Sequence, residues 1–363
     1  MPDPMEVAGY LAEIHANRWY TNFGPLNQRF EAEMSQFLIQ TGSDELVTGT
    51  FSSATTALEL MLRAKRLGEG AKVLIPSLTF PATALSVLNA SYQPVFSDVD
   101  RDSWLLTPEI ARAAHAREPL DAVVPVATYG KPLDGDAWLD FQQETGVQVF
   151  WDAAAVLGQQ RVPSGITAVF SLHATKPFGV GEGGLVATSD SETLERAKSL
   201  SNFGFIGPAG MVQQTGTNAK FGEYYAAVGL QQIARWPEVI ERRKAVADIY
   251  WRELKKLGNC IELQAGCGEE FIPATLQIYA KGRGAQIFDA LAEAGIQTRR
   301  WYLPLLHEHP ALSTIPFINN AQAEEAIPVS LELANGLVGM PFHAFLSEEN
   351  IVEICNIVSE TVS

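Results

Sequence analysis

The chain has 363 residues, 47% hydrophobic and 19% charged, which suits a compact enzyme with two domains and a large buried core. A formal net charge of −16 argues against nucleic acid or anionic membrane as the main partner, yet leaves room for a small anionic substrate held by a local cluster of donors. The three cysteines lack close metal-ligand spacing, and there is no apolar run long enough to span a bilayer. With early acids at Asp3 and Glu6, this predicts a cytoplasmic protein without a signal peptide or metal site.

Residues 1–30 read as an arm, with Trp19, Tyr20 and Phe23 before a turn at Gly24-Pro25. Phe30, Met34, Phe37 and Leu38 give 26–40 the spacing of an amphipathic helix. Ser52-Ser53-Ala54-Thr55 opens a second helix, bearing Leu58, Met61 and Leu62 and ended by Gly68. Strands are expected at 73–75, 94–96, 122–126, 147–151, 167–170 and 185–188, with helices after Pro81 and near 135–145. Continuous apolar strands alternating with helices predict an α/β fold, a mainly parallel sheet covered on both faces. Residues 201–219 form a polar, glycine-rich loop, followed by helices near 222–235 and 237–257. After Gly258 the pattern restarts, with strands at 272–279, 296–298 and 337–340 and helices at 284–294 and 347–360. The expected division is a large domain over 1–257 and a smaller α+β domain over 258–363.

In such sheets ligands collect at the carboxyl ends of strands. Asp152 and Lys176 both fall just beyond such ends, Lys176 before the glycine-rich turn Gly179-Val180-Gly181-Glu182-Gly183-Gly184. Each alone has a plain reading, a solvated loop lysine and a turn-forming aspartate. Together they meet the needs of pyridoxal phosphate (PLP) chemistry. An amine forms a Schiff base, and a carboxylate keeps the pyridine nitrogen protonated so that the ring accepts electrons. Four further sites join them. The helix opened by Ser53-Ala54-Thr55 offers free N–H groups to a phosphate. Ser171 is placed to donate to the same phosphate, Phe80 to cover a ring face, and Asn218, in a polar loop, to reach a partner's site.

In order and spacing, these strings resemble the DegT/StrS-type nucleotide-sugar aminotransferases, which have the aspartate-aminotransferase-like fold. The segments that carry the resemblance include Ser53-Ala54-Thr55-Thr56-Ala57-Leu58, Ile75-Pro76-Ser77-Leu78-Thr79-Phe80 and Asp152-Ala153-Ala154. Phe170 through Lys176, Gly216-Thr217-Asn218, Tyr302-Leu303-Pro304-Leu305-Leu306-His307 and Met340-Pro341-Phe342-His343 belong to the same set, with shorter matches at Gly24-Pro25, Ala82-Thr83, Tyr129-Gly130 and Gly229-Leu230-Gln231. The resemblance implies that Lys176 holds PLP, Asp152 pairs with the pyridinium nitrogen and Phe80 stacks on the ring. It implies that Ala54, Thr55 and Ser171 bind the phosphate, and that Asn218 crosses a homodimer interface to it. It further implies a ping-pong transfer from glutamate, leaving 2-oxoglutarate, to a nucleotide-linked keto-sugar. In the dehydratase branch of the family a histidine stands where Lys176 does, so the lysine favours transamination over dehydration or a non-catalytic PLP-binding role. The chain departs from the family pattern at Ala54 for a glycine, Phe203 and Trp301 for histidines and Lys220 for an arginine. Ala155 stands for a glutamine that would contact the cofactor's phenolic oxygen.

Overall fold

The structure is a computed structural model describing residues 1–206 and 210–362. The chain starts with a helix, α1 (Pro4–Asn17), whose first turn is closed by a reciprocal capping box between Asp3 and Glu6. Val7 and Ile14, two turns apart, bury its inner face. The expected arm therefore contains a docked helix, which the mostly exposed remainder of α1 hid from the apolar pattern. Next comes α2 (Pro25–Gln40), which begins at a proline as helices often do. The first free N–H groups of α2, at Leu26 and Asn27, donate to the buried carboxylate of Glu223 at 2.9 and 2.8 Å.

Then follow β1 (Val47–Phe51), α3 (Ala54–Lys65), β2 (Lys72–Pro76), α4 (Pro81–Asn89), β3 (Gln93–Ser97), α5 (Pro108–Arg117), β4 (Ala122–Val123), α6 (Gly135–Thr145), β5 (Gln148–Asp152), β6 (Thr167–Ser171) and β7 (Gly184–Thr188). The seven strands form one sheet in the order β1-β7-β6-β5-β4-β2-β3. Only β7 runs against the rest, pairing antiparallel with both β6 and β1. Strand β1 was not anticipated, because Val47-Thr48-Gly49-Thr50-Phe51 carries no continuous apolar run. The 122–126 strand shortens to two ladder residues because Pro125 has no N–H to give. Helix α3 stops at Lys65, with Arg66 taking the left-handed conformation, two residues before the glycine expected to end it.

Beyond β7 come α7 (Ser191–Ser201) and a small hairpin, β8 (Phe205–Ile206) with β9 (Met211–Val212); residues 207–209 of the 201–219 loop lie outside the described residues. The two helices expected at 222–257 are one, α8 (Glu223–Leu254), with Pro237 inside it. Trp236, Val239 and Ile240 pack on the main core around the proline, and burial there outweighs one lost backbone bond. The rest of the chain comprises β10 (Glu262–Leu263), β11 (Gln277–Tyr279), α9 (Gly284–Glu293), α10 (Ala323–Ala326), α11 (Pro328–Gly336), β12 (Leu337–Gly339) and α12 (Glu348–Val362). β10, β11 and β12 make a separate antiparallel sheet, whose core draws in Val246, Tyr250 and Leu254 of α8. Residues 296–298 form no strand; the neighbouring Arg299 makes a single bridge to Gly339. β11 is shorter than the 272–279 pattern because the N–H groups of Ala274 and Thr275 turn away to the carbonyl of Tyr129.

Because β7 is antiparallel, it begins at the edge where its neighbours end. A Cβ on Gly184 would sit 2.6 Å from the backbone nitrogen of Ala54 and collide with the carbonyl of Ser53. Only glycine lets this strand pass behind the start of α3. Gly184→Ala should cost about 1–3 kcal/mol in urea denaturation and weaken binding at the α3 terminus, as an overpacked backbone contact does. Wild-type stability would show that the two segments separate freely.

Candidate active site

A cavity of about 500 Å³ opens at the carboxyl edge of the main sheet. Ser53, Ala54 and Thr55 line it from the start of α3, Phe80 from the entry to α4, Asp152 from the end of β5 and Ser171 from the end of β6. Lys176 enters from the β6–β7 loop, and Thr275, Trp301 and Tyr302 come from the C-terminal part of the chain. Six of the seven residues singled out in the sequence thus share one cavity. The seventh, Asn218, is exposed and lies outside it, accepting from Lys220 Nζ at 2.6 Å. Its neighbour Ala219 is tied to the end of β1, where the N–H of Ser52 donates to the Ala219 carbonyl at 2.8 Å.

The loop that carries Lys176 folds back on itself. The Lys176 N–H donates to the His173 carbonyl at 2.9 Å, and the Ala174 N–H to that of Gly181 at 2.8 Å. Gln232 of α8 donates to the Gly179 carbonyl at 2.8 Å, anchoring the loop from below. A Cβ at Gly183 would lie 2.5 Å from the ring of Phe221, so the glycines after the lysine are demanded by close packing.

Burial lowers the Lys176 amine from its ordinary value, with Asp152 pulling the other way. Burial likewise raises the Asp152 carboxyl, against the Thr83 hydroxyl, the Ala154 N–H and Lys176. Thr83 Oγ1 donates to Asp152 Oδ2 at 2.7 Å and Ala154 N–H to Oδ1 at 3.2 Å. Burial thus pushes each group toward its neutral form. Such an amine is nucleophilic, and such a carboxylate calls for a cationic partner. At the start of α3, Ser53 and Thr56 cap one another, leaving the first two helical N–H groups, of Ala54 and Thr55, without intrahelical partners. Amine, carboxylate and anion cradle line one cavity, a donor set that could hold PLP.

Aromatic rings close the other side. Phe80 meets Trp301 and Tyr302 edge-on at 6.0 and 6.1 Å, and Tyr302 stacks on Tyr129 at 5.3 Å. Tyr129 Oη donates to the Trp301 carbonyl at 2.5 Å. Burial and the nearby Asp152 keep the Tyr302 phenol protonated. Among the described residues, no arginine lines the cavity. Sequence reasoning passed over Thr83, although it sits one helical turn past Phe80 in Phe80-Pro81-Ala82-Thr83 and so points the same way. It also assigned no role to Tyr129 or to Thr275, and for Thr275 nothing local in the sequence signals one.

The model of the DegT/DnrJ/EryC1/StrS aminotransferase family matches residues 4–359. The chain is 28% identical over 370 residues to a dTDP-4-amino-4,6-dideoxy-D-glucose transaminase of Shigella dysenteriae, covering 99% of this chain and 96% of that one. Among solved structures it resembles DesV of S. venezuelae, with a TM-score of 0.87 and 27% identity over 99% of this chain and 95% of that one. It also resembles DesI, solved in the presence of its TDP-sugar product, with a TM-score of 0.86 and 27% identity over 100% and 91% of the two chains.

The lowered Lys176 value has a consequence for the cofactor-free protein. The unfolded lysine binds its proton more tightly, so stability rises with pH from the folded value up to the unfolded one, about 10.4. Lys176→Met should flatten that rise and make the cofactor-free protein more stable than wild type near neutral pH. Urea denaturation at a series of pH values measures both. A variant less stable at neutral pH, with the slope unchanged, would show that the amine is not held against its charge.

Proposed function

The chain belongs to the DegT/DnrJ/EryC1/StrS aminotransferase family, and from that premise we propose that it moves an amino group from glutamate to a nucleotide-linked keto-deoxy-sugar at the cavity around Lys176 and Asp152. It is a PLP-dependent aminotransferase, as its family and relatives are. The observation that supports placing the reaction at this cavity is the desolvated amine–carboxylate pair, set beside the free N–H groups of α3.

When bound, PLP supplies an aldehyde that takes up amino groups and a ring that accepts electrons. Lys176 would then act twice. Its amine would hold the aldehyde and, when free, would move the proton at the donor's α-carbon. A depressed pKa suits an amine to that shuttle near neutral pH. Asp152 would hold the proton on the ring nitrogen, steadied by Thr83 and the Ala154 N–H. Ala54, Thr55 and Ser171 would orient the phosphate, and Phe80 would shield one ring face from water. Two half-reactions through one carrier give ping-pong kinetics.

Two copies are expected to share the work in the cytoplasm. The hairpin beside Asn218 exposes Phe205, Ile206, Met211 and Val212, an apolar surface suited to a second copy of the chain. Asn218, exposed and outside its own cavity, would then reach the neighbour's phosphate. We also assign residues 258–363 as the smaller domain, which the separate β10–β12 sheet supports.

A dTDP-linked 4-keto-6-deoxy-sugar is the first acceptor to test, given the Shigella relative. Glutamate should release 2-oxoglutarate once per site, and the ketone should then return the enzyme to its starting form. A protein that reacts with no keto-sugar nucleotide overturns the assignment. Lys176→Ala should cut turnover by roughly 10³-fold or more, and Asp152→Asn by roughly 100-fold, in steady-state assays of correctly folded protein. Borohydride should fix the cofactor on the Lys176 peptide; label on another lysine refutes its role.

Sharing between subunits has its own test. Lys176→Ala and Asn218→Asp chains should each be impaired, the second because its carboxylate repels phosphate. Mixed dimers would hold one site with both lesions and one with neither, so activity should rise well above either parent. Confirmed exchange without recovery would place Asn218 in its own chain's chemistry or in none.

A further inference from the structure

Three arginines stand around the C-terminal wall of the cavity, and they are engaged differently. Arg243 of α8, itself buried, grips the 273–275 segment, donating from Nη2 to the carbonyls of Pro273 at 2.6 Å and Ala274 at 3.2 Å. Arg300 is half-buried and donates to the end of α11, from Nε to the Leu337 carbonyl at 3.1 Å and from Nη2 to that of Ala334 at 2.6 Å. Both guanidinium groups are occupied by backbone. Arg299 is not. Its side chain is exposed and has no hydrogen bond or ion pair among the described residues.

Arg299 is nonetheless held in place. The Gly339 N–H donates to its carbonyl at 2.8 Å, which fixes its backbone to β12, and the bonds of Arg300 fix the next residue. Its guanidinium lies over the ring of Trp301, 5.9 Å from the centroid, within the range of a cation–π contact. Trp301 lines the cavity and meets Phe80 edge-on. Arg299 does not line the cavity itself, so it stands at the rim, joined to the wall through the Trp301 ring.

Inside, the basic side chains are Lys176 and His173. His173 Nε2 already faces Glu182 at 3.5 Å, and Lys176 feels the charge of Asp152. Neither is left over for a further anion. The chain carries a net charge of −16, so it repels a multiply charged anion except where a cation lies exposed without a counter-charge. Arg299 is such a cation, and its planar fork matches phosphate oxygens.

We propose that Arg299 binds the diphosphate of the nucleotide-linked acceptor at the mouth of the cavity, with Trp301 as the positioning residue that holds the guanidinium there. The inference rests on the acceptor being a nucleotide-linked sugar. The sugar's ketone has to reach Lys176, while the diphosphate on another ring carbon trails toward solvent. A cation at the rim meets that trailing group. Glutamate is short enough to enter whole, so Arg299 should not bear on its half-reaction.

The test measures binding of dTDP, UDP and GDP to PLP-loaded wild type, Arg299→Gln and Arg299→Lys by calorimetry at low and high salt. The diphosphate that wild type binds best should bind Arg299→Gln roughly tenfold more weakly, with a shallower salt dependence, and Arg299→Lys should recover part of the loss. KM for the keto-sugar nucleotide should rise by a similar factor with kcat kept, and KM alone decides if the free diphosphate binds too weakly to register. Trp301→Leu should weaken diphosphate binding less, and add little to the loss in Arg299→Gln; full additivity would show that Trp301 does not hold the guanidinium. Equal diphosphate affinity and equal KM in wild type and Arg299→Gln overturn the inference. So does a defect that appears equally, or only, in the glutamate half-reaction; the second result would give the rim cation to the donor's carboxylate. A wild type that binds none of the three diphosphates and reacts with no keto-sugar nucleotide overturns the acceptor class, and this inference with it.

Discussion

Exclusion of water from an amine and a carboxylate that share one cavity is the constraint on which the rest of the structure depends. Asp152 is only 9% exposed, and burial acts on it and on Lys176 in opposite directions, each toward the neutral form. Holding them together takes a sheet edge, because six strands release their chains there and the antiparallel β7 begins there. The β6–β7 loop therefore starts and finishes at the same edge and can fold Lys176 over it. Glycines are required along that return path because backbone or aromatic rings lie where their Cβ atoms would be. The α3 terminus is part of the same arrangement, since β7 passes directly behind it.

What was legible in the sequence is what repeats or what bears chemistry on a short string. The buried parallel strands read clearly because they are apolar throughout, and Asp152 and Lys176 lie at the ends of such runs, while Ser53-Ala54-Thr55 reads as the opening of a helix. The edge strand β1 did not, because its threonines serve polar partners. Thr50 Oγ1 donates to Glu31 and Thr48 Oγ1 to the Glu31 carbonyl, so hydrogen bonding rather than hydrophobicity holds that strand on α2. Helix α1 was hidden for a related reason, a docking face of only a few apolar residues. Pro237 misled because a local rule about helix interiors was overridden by packing on both of its sides.

The walls of the site were less legible than its floor. Tyr129, Thr275 and Tyr302 come from distant parts of the chain, and what joins them is backbone hydrogen bonding and ring stacking that leave no periodic mark. The reason for Gly130 likewise lies in space, in the approach of Ala274. Thr83 is the intermediate case. It is one helical turn from a residue already singled out, and its role follows once Asp152 is known to be buried.

The grip of Arg243 on the 273–275 segment separates two kinds of pH response. Desolvation lowers its guanidinium to about 10, yet that still leaves it charged throughout the neutral range, and its partners are carbonyls, which do not titrate there. The Tyr129 phenol is likewise kept protonated by burial. The Arg243 anchor and the Tyr129 phenol therefore keep their charge states while the groups inside the cavity change theirs. Across a rate profile measured between acid and mildly alkaline solution, that anchor would stay fixed while amine and carboxylate titrate.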